Sequence, residues 1–180
     1  MYSSAHFLLL TKHPHTNSHT HTNTTPQTLV AAIDAVGLKP VLNNKLFKGT
    51  VFAPTNAAFE LLFKELNTTG AALLKNKVLV KAVLEYHIIE KDVLYRSSLS
   101  TLQSWDTSLP KQTITLYVPN KPAKVRVYYG KPKPCGIQPL DSIQYTGFAA
   151  VLVGDVKADR AVVQVIDRVL IPTLAPLGRR

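Results

Sequence analysis

Four histidines near the start of the chain could, by their number and spacing, bind a transition metal. His13, His15, His19 and His21 fall within nine residues, and imidazole nitrogen is a good ligand for zinc, copper and nickel. The residues around them are mostly Thr, Asn and Ser, and the sequence has no second cluster of metal ligands. A polar, low-complexity leader is therefore the favoured interpretation, and no metal site is predicted. A small-ligand or metal-handling protein that uses this leader is the alternative function.

A strand–turn–helix joint is the second place where chemistry could occur. The stretch GTVFAPTNAAFELL, residues 49–62, predicts a strand over Thr50–Ala53, a stop at Pro54 and a helix capped by Thr55. A phosphate-binding loop needs several glycines and a lysine, and a nucleophile elbow needs Ser or Cys between glycines. Neither pattern is present between Val51 and Leu62, so the joint is predicted to be architectural.

An imidazole, a carboxylate and a thiol could also take part in catalysis, at His87, Asp167 and Cys135. His87 stands among apolar residues, which predicts a buried, neutral imidazole with a hydrogen-bond partner. Asp167 alternates with valines, so it is predicted to be a hydrogen-bonded carboxylate on an apolar face. Cys135 lies in a Pro- and Gly-rich loop without a nearby His or Cys motif, which favours an inert thiol. Because no motif supplies a nucleophile with its base and orienting acid, the chain is predicted not to be an enzyme. A hydrolase or redox enzyme built on His87 or Cys135 is the rival interpretation.

The composition describes one globular domain with an excess of positive charge. The chain has 180 residues, of which 46% are hydrophobic and 18% charged, and its formal net charge is +10. Acidic surfaces or polymers are therefore plausible partners, and no apolar run is long enough to span a bilayer. Because Cys135 is the single cysteine, no internal disulfide can form and packing must stabilise the fold.

The sequence features that bear on export point in different directions. Asn23 and Asn67 each begin an N-glycosylation sequon, which is used only in exported proteins. The apolar run Phe7–Leu10 is much shorter than a secretory signal requires. The sequence therefore predicts either that the chain is not exported from this start or that this start is truncated.

Helical patterns come early in the chain and strand patterns come late. Residues 1–25 are too polar to bury a core and are predicted to be disordered. Helices are predicted from Thr25-Pro26 to Gly37, from Thr55 onward, and over Ala71–Leu84, with a turn over Asn67–Gly70. From Tyr86 onward the sequence has short β-rich pieces separated by Pro, Asn, Gly and Ser, namely YHIIE, TLQSW, TITLYV, KVRVYY, AAVLVGDV and AVVQVIDRVLIP. This order predicts an α+β domain rather than an alternating parallel one.

Three segments, taken in order, resemble the fasciclin domain family. GTVFAPTNAAFELL is similar to the family's leading motif, VLEYHIIEKDVL (residues 83–94) to its Tyr-His segment, and AVVQVIDRVLIP (residues 161–172) to its closing motif. The resemblance covers residues 26–173 and leaves a C-terminal tail over residues 174–180. It implies a fasciclin-like β-wedge or sandwich of short strands, with helices packed from the N-terminal half. The stretch GDVKADRAVVQVID looks closest to plant and green-algal members.

This chain departs from the family pattern at two places. The family usually has Asn-Gly before its closing strand and a histidine within it, where this chain has Asp159-Arg160 and Gln164. Without the glycine, the turn has no easy position for a positive φ and must be built differently. The insertion Gly130–Gly147 is also longer than the family needs.

The resemblance implies a non-enzymatic, glycosylated module of cell adhesion or of the extracellular matrix, displayed outside the cell or at its surface, without a cofactor. In animal members, integrin recognition is attributed to the Tyr-His segment and to an Asp-Ile pair before the closing motif. The positions that correspond here are Tyr86, His87, Ile88, Ile89, Asp155 and Val156. An apolar Tyr-His strand is by default part of a core, and the likeness to the green lineage argues against an integrin partner.

Four polar residues are predicted to connect neighbouring parts of this scaffold through hydrogen bonds: Thr55, Asn56, His87 and Asp167. The resemblance, together with the polar pair at the joint, predicts that His87 is hydrogen-bonded to the Thr55–Asn56 corner. Such a bond would tie the first motif to the second.

A basic, tyrosine-rich stretch is the predicted binding surface. Between Thr107 and Leu140 the chain has six basic residues and no acidic one. Two strands joined through PNKPAK would display a basic hairpin and a basic loop that together contain Lys111, Lys121, Lys124, Arg126, Lys131, Lys133 and Tyr128.

This surface suits an acidic polysaccharide, a matrix or cell-surface protein, or peripheral contact with an anionic membrane. Nucleic acid is not predicted as a partner, because no nucleic-acid-binding motif accompanies the charge. The alternative is a basic edge whose lysines prevent strand addition. The sequence does not predict an oligomeric state.

Overall fold

The helices precede most of the strands along the chain, in the order that the sequence pattern predicts. A computed structural model describes residues 27–99, 103–118, 125–130 and 147–173. The helices are α1 (Gln27–Val36), α2 (Lys39–Leu42), α3 (Asn56–Glu65), α4 (Gly70–Lys75) and α5 (Lys77–Tyr86). The strands are β1 (Gly49–Pro54), β2 (Ile88–Glu90), β3 (Gln103–Asp106), β4 (Thr113–Tyr117), β5 (Arg126–Tyr129), β6 (Gly147–Ala158) and β7 (Ala161–Ile166). The α+β prediction is confirmed. The leader (residues 1–25), the tail (174–180) and most of the Gly130–Gly147 insertion, with Cys135, lie outside the described residues.

Local sequence signals set the ends of α1 and α3 as predicted. α1 is followed by Gly37 at φ +72°, a left-handed conformation that glycine adopts without steric cost. α3 begins after Thr55, whose side chain accepts a hydrogen bond from the Ala58 N–H at 3.2 Å. This bond satisfies one of the free N–H groups at the start of the helix.

The single helix predicted over residues 71–84 is wrong, because the segment forms two helices. Asn76 ends α4 and caps α5, and its side-chain oxygen accepts from the Leu79 N–H at 3.1 Å. Asparagine competes with the helix for backbone hydrogen bonds, which favours a boundary at this position. The strand predicted to start at Tyr86 is also shorter than expected, since Tyr86 ends α5 and β2 begins at Ile88.

One sheet of seven strands forms within the described residues, in the order β2-β1-β7-β6-β5-β4-β3. β1 and β7 are parallel neighbours, and the other neighbours are antiparallel. β6 has 12 residues and pairs with β5 over its first part and with β7 over its second. Its register shifts between Val151 and Val156, where bulges bend a strand. β6 therefore belongs to both halves of the sheet, and its bend gives the sheet a wedge shape.

Two hydrophobic cores lie on opposite faces of β1 and β7. Val51 and Ala53 of β1 face the helices and pack against Leu29, Phe59 and Leu84 in what we call the helix-side core. Phe52 and Ile166 face the other core, which we call the sheet-side core. It is formed mainly by β3–β6 and includes Leu116, Val127 and Val151. Every residue of β1 and β7 is buried, because successive side chains alternate between the two cores. This two-sided burial explains why both strands are mostly apolar, with Thr50 and Gln164 as their buried polar side chains.

Candidate functional site

The imidazole of His87 is a buried link between α5 and the segment after β7. His87 is 2% exposed. Its Nδ1 lies 2.7 Å from the Val83 carbonyl oxygen, and its Nε2 accepts from the Leu170 N–H at 2.9 Å. Burial lowers the pKa of His87 to about 4, with the bond to Val83 opposing the shift. The ring is therefore neutral at physiological pH, with its proton on Nδ1.

The predicted bond between His87 and the Thr55–Asn56 corner is wrong. A neutral imidazole offers one donor and one acceptor, and Val83 and Leu170 use both. The corner has other partners. Asn56 Oδ1 accepts from the Thr28 N–H at 3.0 Å, at the start of α1, while the Thr55 N–H donates to the Ile166 carbonyl of β7 at 3.1 Å. The corner thus connects α1, α3 and β7 without the histidine.

Asp167 bonds to β6 through both its side chain and its backbone. Its Oδ1 accepts from the Ala150 N–H at 2.7 Å, and its own N–H donates to the Ala150 carbonyl at 3.1 Å. The carboxylate is half-buried, and this pairing holds the end of β7 against β6.

Asp155 is the centre of a polar network that the sequence did not reveal. Its carboxylate accepts from the Arg96 N–H (2.9 Å), Arg96 Nε (3.2 Å) and Gln164 Nε2 (2.9 Å). Gln164 also donates to the Leu94 carbonyl at 2.8 Å and accepts from the Asp155 N–H at 3.1 Å. Burial alone would raise the pKa of Asp155, but the bonds from Gln164 and Arg96 outweigh it and lower that pKa. The network holds Asp155 at φ +61°, within the bulged part of β6.

Most positions that correspond to the family's interaction segments are buried. Tyr86, Ile88 and Ile89 are 0%, 6% and 1% exposed, and the Tyr86 hydroxyl donates to the Thr113 carbonyl at 2.9 Å. Val156 packs against the helix-side core. Side chains placed in this way stabilise the fold and present little surface to a partner.

The described residues contain no metal-binding cluster and no membrane-spanning helix. Within the described ranges, no group of three His, Cys, Asp or Glu side chains is placed to hold a metal ion. His13, His15, His19, His21 and the sequon at Asn23 lie outside these ranges. Among the same residues, no helix is long and apolar enough to cross a bilayer. Asn67, the second sequon, is exposed in the turn between α3 and α4.

The outward side of β4–β6 carries an aromatic and cationic surface, which we call the outer sheet face: Tyr117, Arg126, Tyr128 and Phe148. The guanidinium carbon of Arg126 lies 5.0 Å from the centre of the Phe148 ring. Tyr128 contacts Phe148 and Tyr117, with ring centres at 5.8 and 6.1 Å. Phe148 is 45% exposed, although aromatic rings are usually buried.

The structure places part of the predicted basic patch on this face and part elsewhere. Arg126 and Tyr128 lie together in β5, whereas Lys111 lies in the turn before β4, at the opposite end of that strand from Arg126. Lys121, Lys124, Lys131 and Lys133 are outside the described residues. Phe148 was not predicted from the sequence as part of this surface, because its place beside Tyr128 depends on the pairing of β5 with β6.

Comparison with known proteins gives a consistent match to one family. A sequence model of the fasciclin domain matches residues 25–172, and no curated protein sequence matches. A solved structure of a FAS1 domain pair from the insect cell adhesion molecule fasciclin I is similar to this chain, with a TM-score of 0.59 at 19% sequence identity. The match covers 88% of this chain and 49% of that one, so the chain spans about half the length of the insect structure. The fasciclin-like fold is confirmed.

Proposed function

Since the chain belongs to the fasciclin domain family, we propose that it acts as a non-enzymatic adhesion module that binds acidic polysaccharide through the outer sheet face. Fasciclin domains are generally adhesion modules, and the similar insect structure comes from a cell adhesion molecule. The module would act outside the cell or at its surface, with the domain over residues 26–173. The likeness of the stretch GDVKADRAVVQVID to plant and green-algal members belongs to the same proposal.

The observation that carries this proposal is the stacked pair of Arg126 and Phe148. Stacking at 5.0 Å holds the guanidinium at the surface beside three aromatic rings. A guanidinium binds carboxylate or sulfate through two parallel hydrogen bonds. The rings add a rigid apolar surface that loses little conformational entropy on binding, and a sugar ring can pack against it.

The shape and charge of the molecule support the same class of ligand. The outer sheet face is an open strand surface, which suits an extended polymer better than a small molecule that needs a concave pocket. The net charge of +10 raises the local concentration of a polyanion and speeds its association. Salt screens this long-range part, so the local contacts of Arg126 should dominate near 0.15 M salt.

Binding to a sulfated or uronic-acid polysaccharide, measured at graded salt concentrations, tests the proposal. Arg126→Gln should weaken binding about three- to tenfold, because it removes hydrogen bonds to a charged group. Phe148→Ala should weaken binding by a similar factor. Arg160→Gln is the matched control, since Arg160 is exposed in the turn between β6 and β7 and its loss changes the net charge equally. Equal effects of Arg126→Gln and Arg160→Gln would show that only net charge matters and would contradict the assigned face. If the chain bound an acidic matrix protein but no acidic polysaccharide, the ligand of the outer sheet face would be a protein instead.

A further inference from the structure

An apolar cavity lies between the helices, on the side of the molecule away from the outer sheet face. It has a volume of about 160 Å³ and is surrounded by α1, α3, α4, α5 and Ile171. Ala32, Leu62 and Val80 are buried at its wall, whereas Leu66 at its rim is 51% exposed. Among the described residues that line it, no polar atom is exposed to the cavity.

Small residues keep this space open. Ala32 is 3% exposed in α1, where a larger side chain would extend into the cavity. Gly70 lies against Phe63, and a Cβ atom at this position would meet two ring atoms at 3.2 Å. Natural cores are packed at the density of organic crystals, and voids larger than a water molecule are few. A cavity of this size among the helices is therefore unusual, and it is large enough to hold a small ligand.

The least buried part of the cavity wall is formed by α4. This helix has six residues and none of them is buried, while Leu73 and Leu74 line the cavity half-buried. One residue, Asn76, separates α4 from α5. Elements with few buried apolar groups open locally at low free-energy cost, so α4 gives a small molecule a path into the cavity.

We infer that this cavity binds a small, uncharged aromatic or hydrocarbon molecule. Its volume of about 160 Å³ is close to that of apolar cavities of about 150 Å³ that accept benzene. Phe59 and Phe63 line the cavity, with ring centres at 6.2 Å and a tilted arrangement, and such rings favour an aromatic guest at an offset angle. A ligand with a hydroxyl group would lose its hydrogen bonds to water and find no partner at this wall. The site thus selects for apolar ligands and against polar ones of equal size.

Toluene and phenol test this inference as a matched pair, because they have the same shape and differ by one methyl and one hydroxyl. In the full chain, toluene should produce saturable NMR shifts of the methyl groups of Leu79, Val80 and Val83. The methyl groups of Val125 and Val127, in the other core, should not move. Phenol should bind about tenfold or more weakly, since its hydroxyl is unsatisfied in the cavity. Absence of saturable binding, or equal affinity for the two ligands, would overturn the inference.

Two further variants identify the site and its occupant. Leu73→Trp should fill the cavity and abolish toluene binding, while the matched Val78→Trp, at a position 82% exposed on α5, should leave it unchanged. The comparison of toluene with phenol needs no variant, so it stands even where Leu73→Trp does not fold. Full-length chains in which serine replaces Phe7–Leu10, or Leu174 and Leu177, test occupation by the chain itself. Toluene binding that appears only in one of these serine variants would show that an apolar end segment fills the cavity, and would overturn the inference.

Discussion

At the scale of single residues, His87 shows how a polar group becomes a structural part of a core. Its two ring nitrogens contact the Val83 carbonyl and the Leu170 N–H, which lie on either side of it in space but far apart in the sequence. Protonation of Nε2 would place an N–H against the Leu170 N–H. The charged form is therefore disfavoured by burial and by the loss of an acceptor.

His87 should make the stability of the protein depend on pH. The pKa falls from 6.5 in the unfolded chain to about 4 in the fold, so between these values the unfolded state binds the proton and the native state does not. Stability is therefore complete above pH 6.5 and is lost as the pH falls toward 4, by up to about 3 kcal/mol. Denaturant unfolding at a series of pH values between 4 and 8 measures this change.

His87→Gln should remove most of that pH dependence and cost about 1–3 kcal/mol at pH 7, because one of the two partners of the imidazole is left unsatisfied. His21→Gln is the matched control, since it makes the same change within the polar leader predicted from the sequence. A variant His87→Gln that keeps the full slope between pH 4 and 6.5 would mean that another group carries the proton.

The candidate site could be predicted from the sequence only where a residue's partner is close along the chain. Thr55 was identified as a helix cap because its partner, Ala58, is three residues away. The distant partner of His87 was not identified, because Leu170 is 83 residues away and only the packing of β7 against β1 brings it near. The same limit concealed Arg96, whose bonds to Asp155 span 59 residues.

At the scale of elements, the network around Gln164 holds the bend of β6. Gln164 is 3% exposed and uses both ends of its amide, donating to the Leu94 carbonyl and Asp155 and accepting from the Asp155 N–H. An imidazole in its place could make at most two such bonds. Glutamine makes three here, and they connect β7 to Leu94 and to the bulged part of β6.

Gln164→Met should destabilise the protein by about 2–4 kcal/mol. Methionine preserves the length of the side chain but leaves the Leu94 carbonyl and the Asp155 N–H without a partner in a buried place. Gln112→Met is the matched control, because the Gln112 side chain makes one longer bond, to the Thr173 carbonyl at 3.3 Å, and should cost about 1 kcal/mol or less. Denaturant titration measures both, and equal losses would contradict a special role for Gln164.

The cap of α4 should control the local opening of that helix. Thr69 accepts from the Ala72 N–H at 3.2 Å, and Thr69→Ala removes a cap that typically contributes about 1 kcal/mol. Hydrogen exchange of the α4 amides should then be about fivefold faster, with α5 unchanged. Thr69→Ser is the control, since it keeps the hydroxyl and the Asn67 sequon. Faster exchange throughout α5 would show that the two helices open together.

Element types were more predictable than their breaks. Apolar periodicity and cap residues identified α1, β1 and α3, because these signals lie within one short segment. The division between α4 and α5 was not predicted, since Asn76 stands inside a helical apolar pattern and the pattern alone favours continuity. The bulges of β6 also escaped prediction, because a bulge depends on the register of the neighbouring strands rather than on one sequence.

At the scale of the whole molecule, β1 and β7 are shared by both cores, so each core supports the other. Val51 and Phe52 are adjacent in β1 yet face different cores. Loss of packing on one side therefore weakens the strands on which the other side rests. The adhesion surface proposed on β4–β6 and the cavity proposed among the helices thus lie on opposite sides of one common pair of strands.

This sharing predicts that the two cores unfold together. Trp105 is the single tryptophan and packs against the sheet-side core, so its fluorescence reports that side, while far-ultraviolet circular dichroism reports mainly the helices. Leu29→Ala in the helix-side core and Leu116→Ala in the sheet-side core should each cost about 2–5 kcal/mol. For each variant, the midpoints from the two probes should move together, as two-state unfolding requires. If Leu29→Ala moved the circular dichroism midpoint and left the Trp105 midpoint in place, the cores would be independent, and β1 and β7 would not couple the helix side to the sheet side.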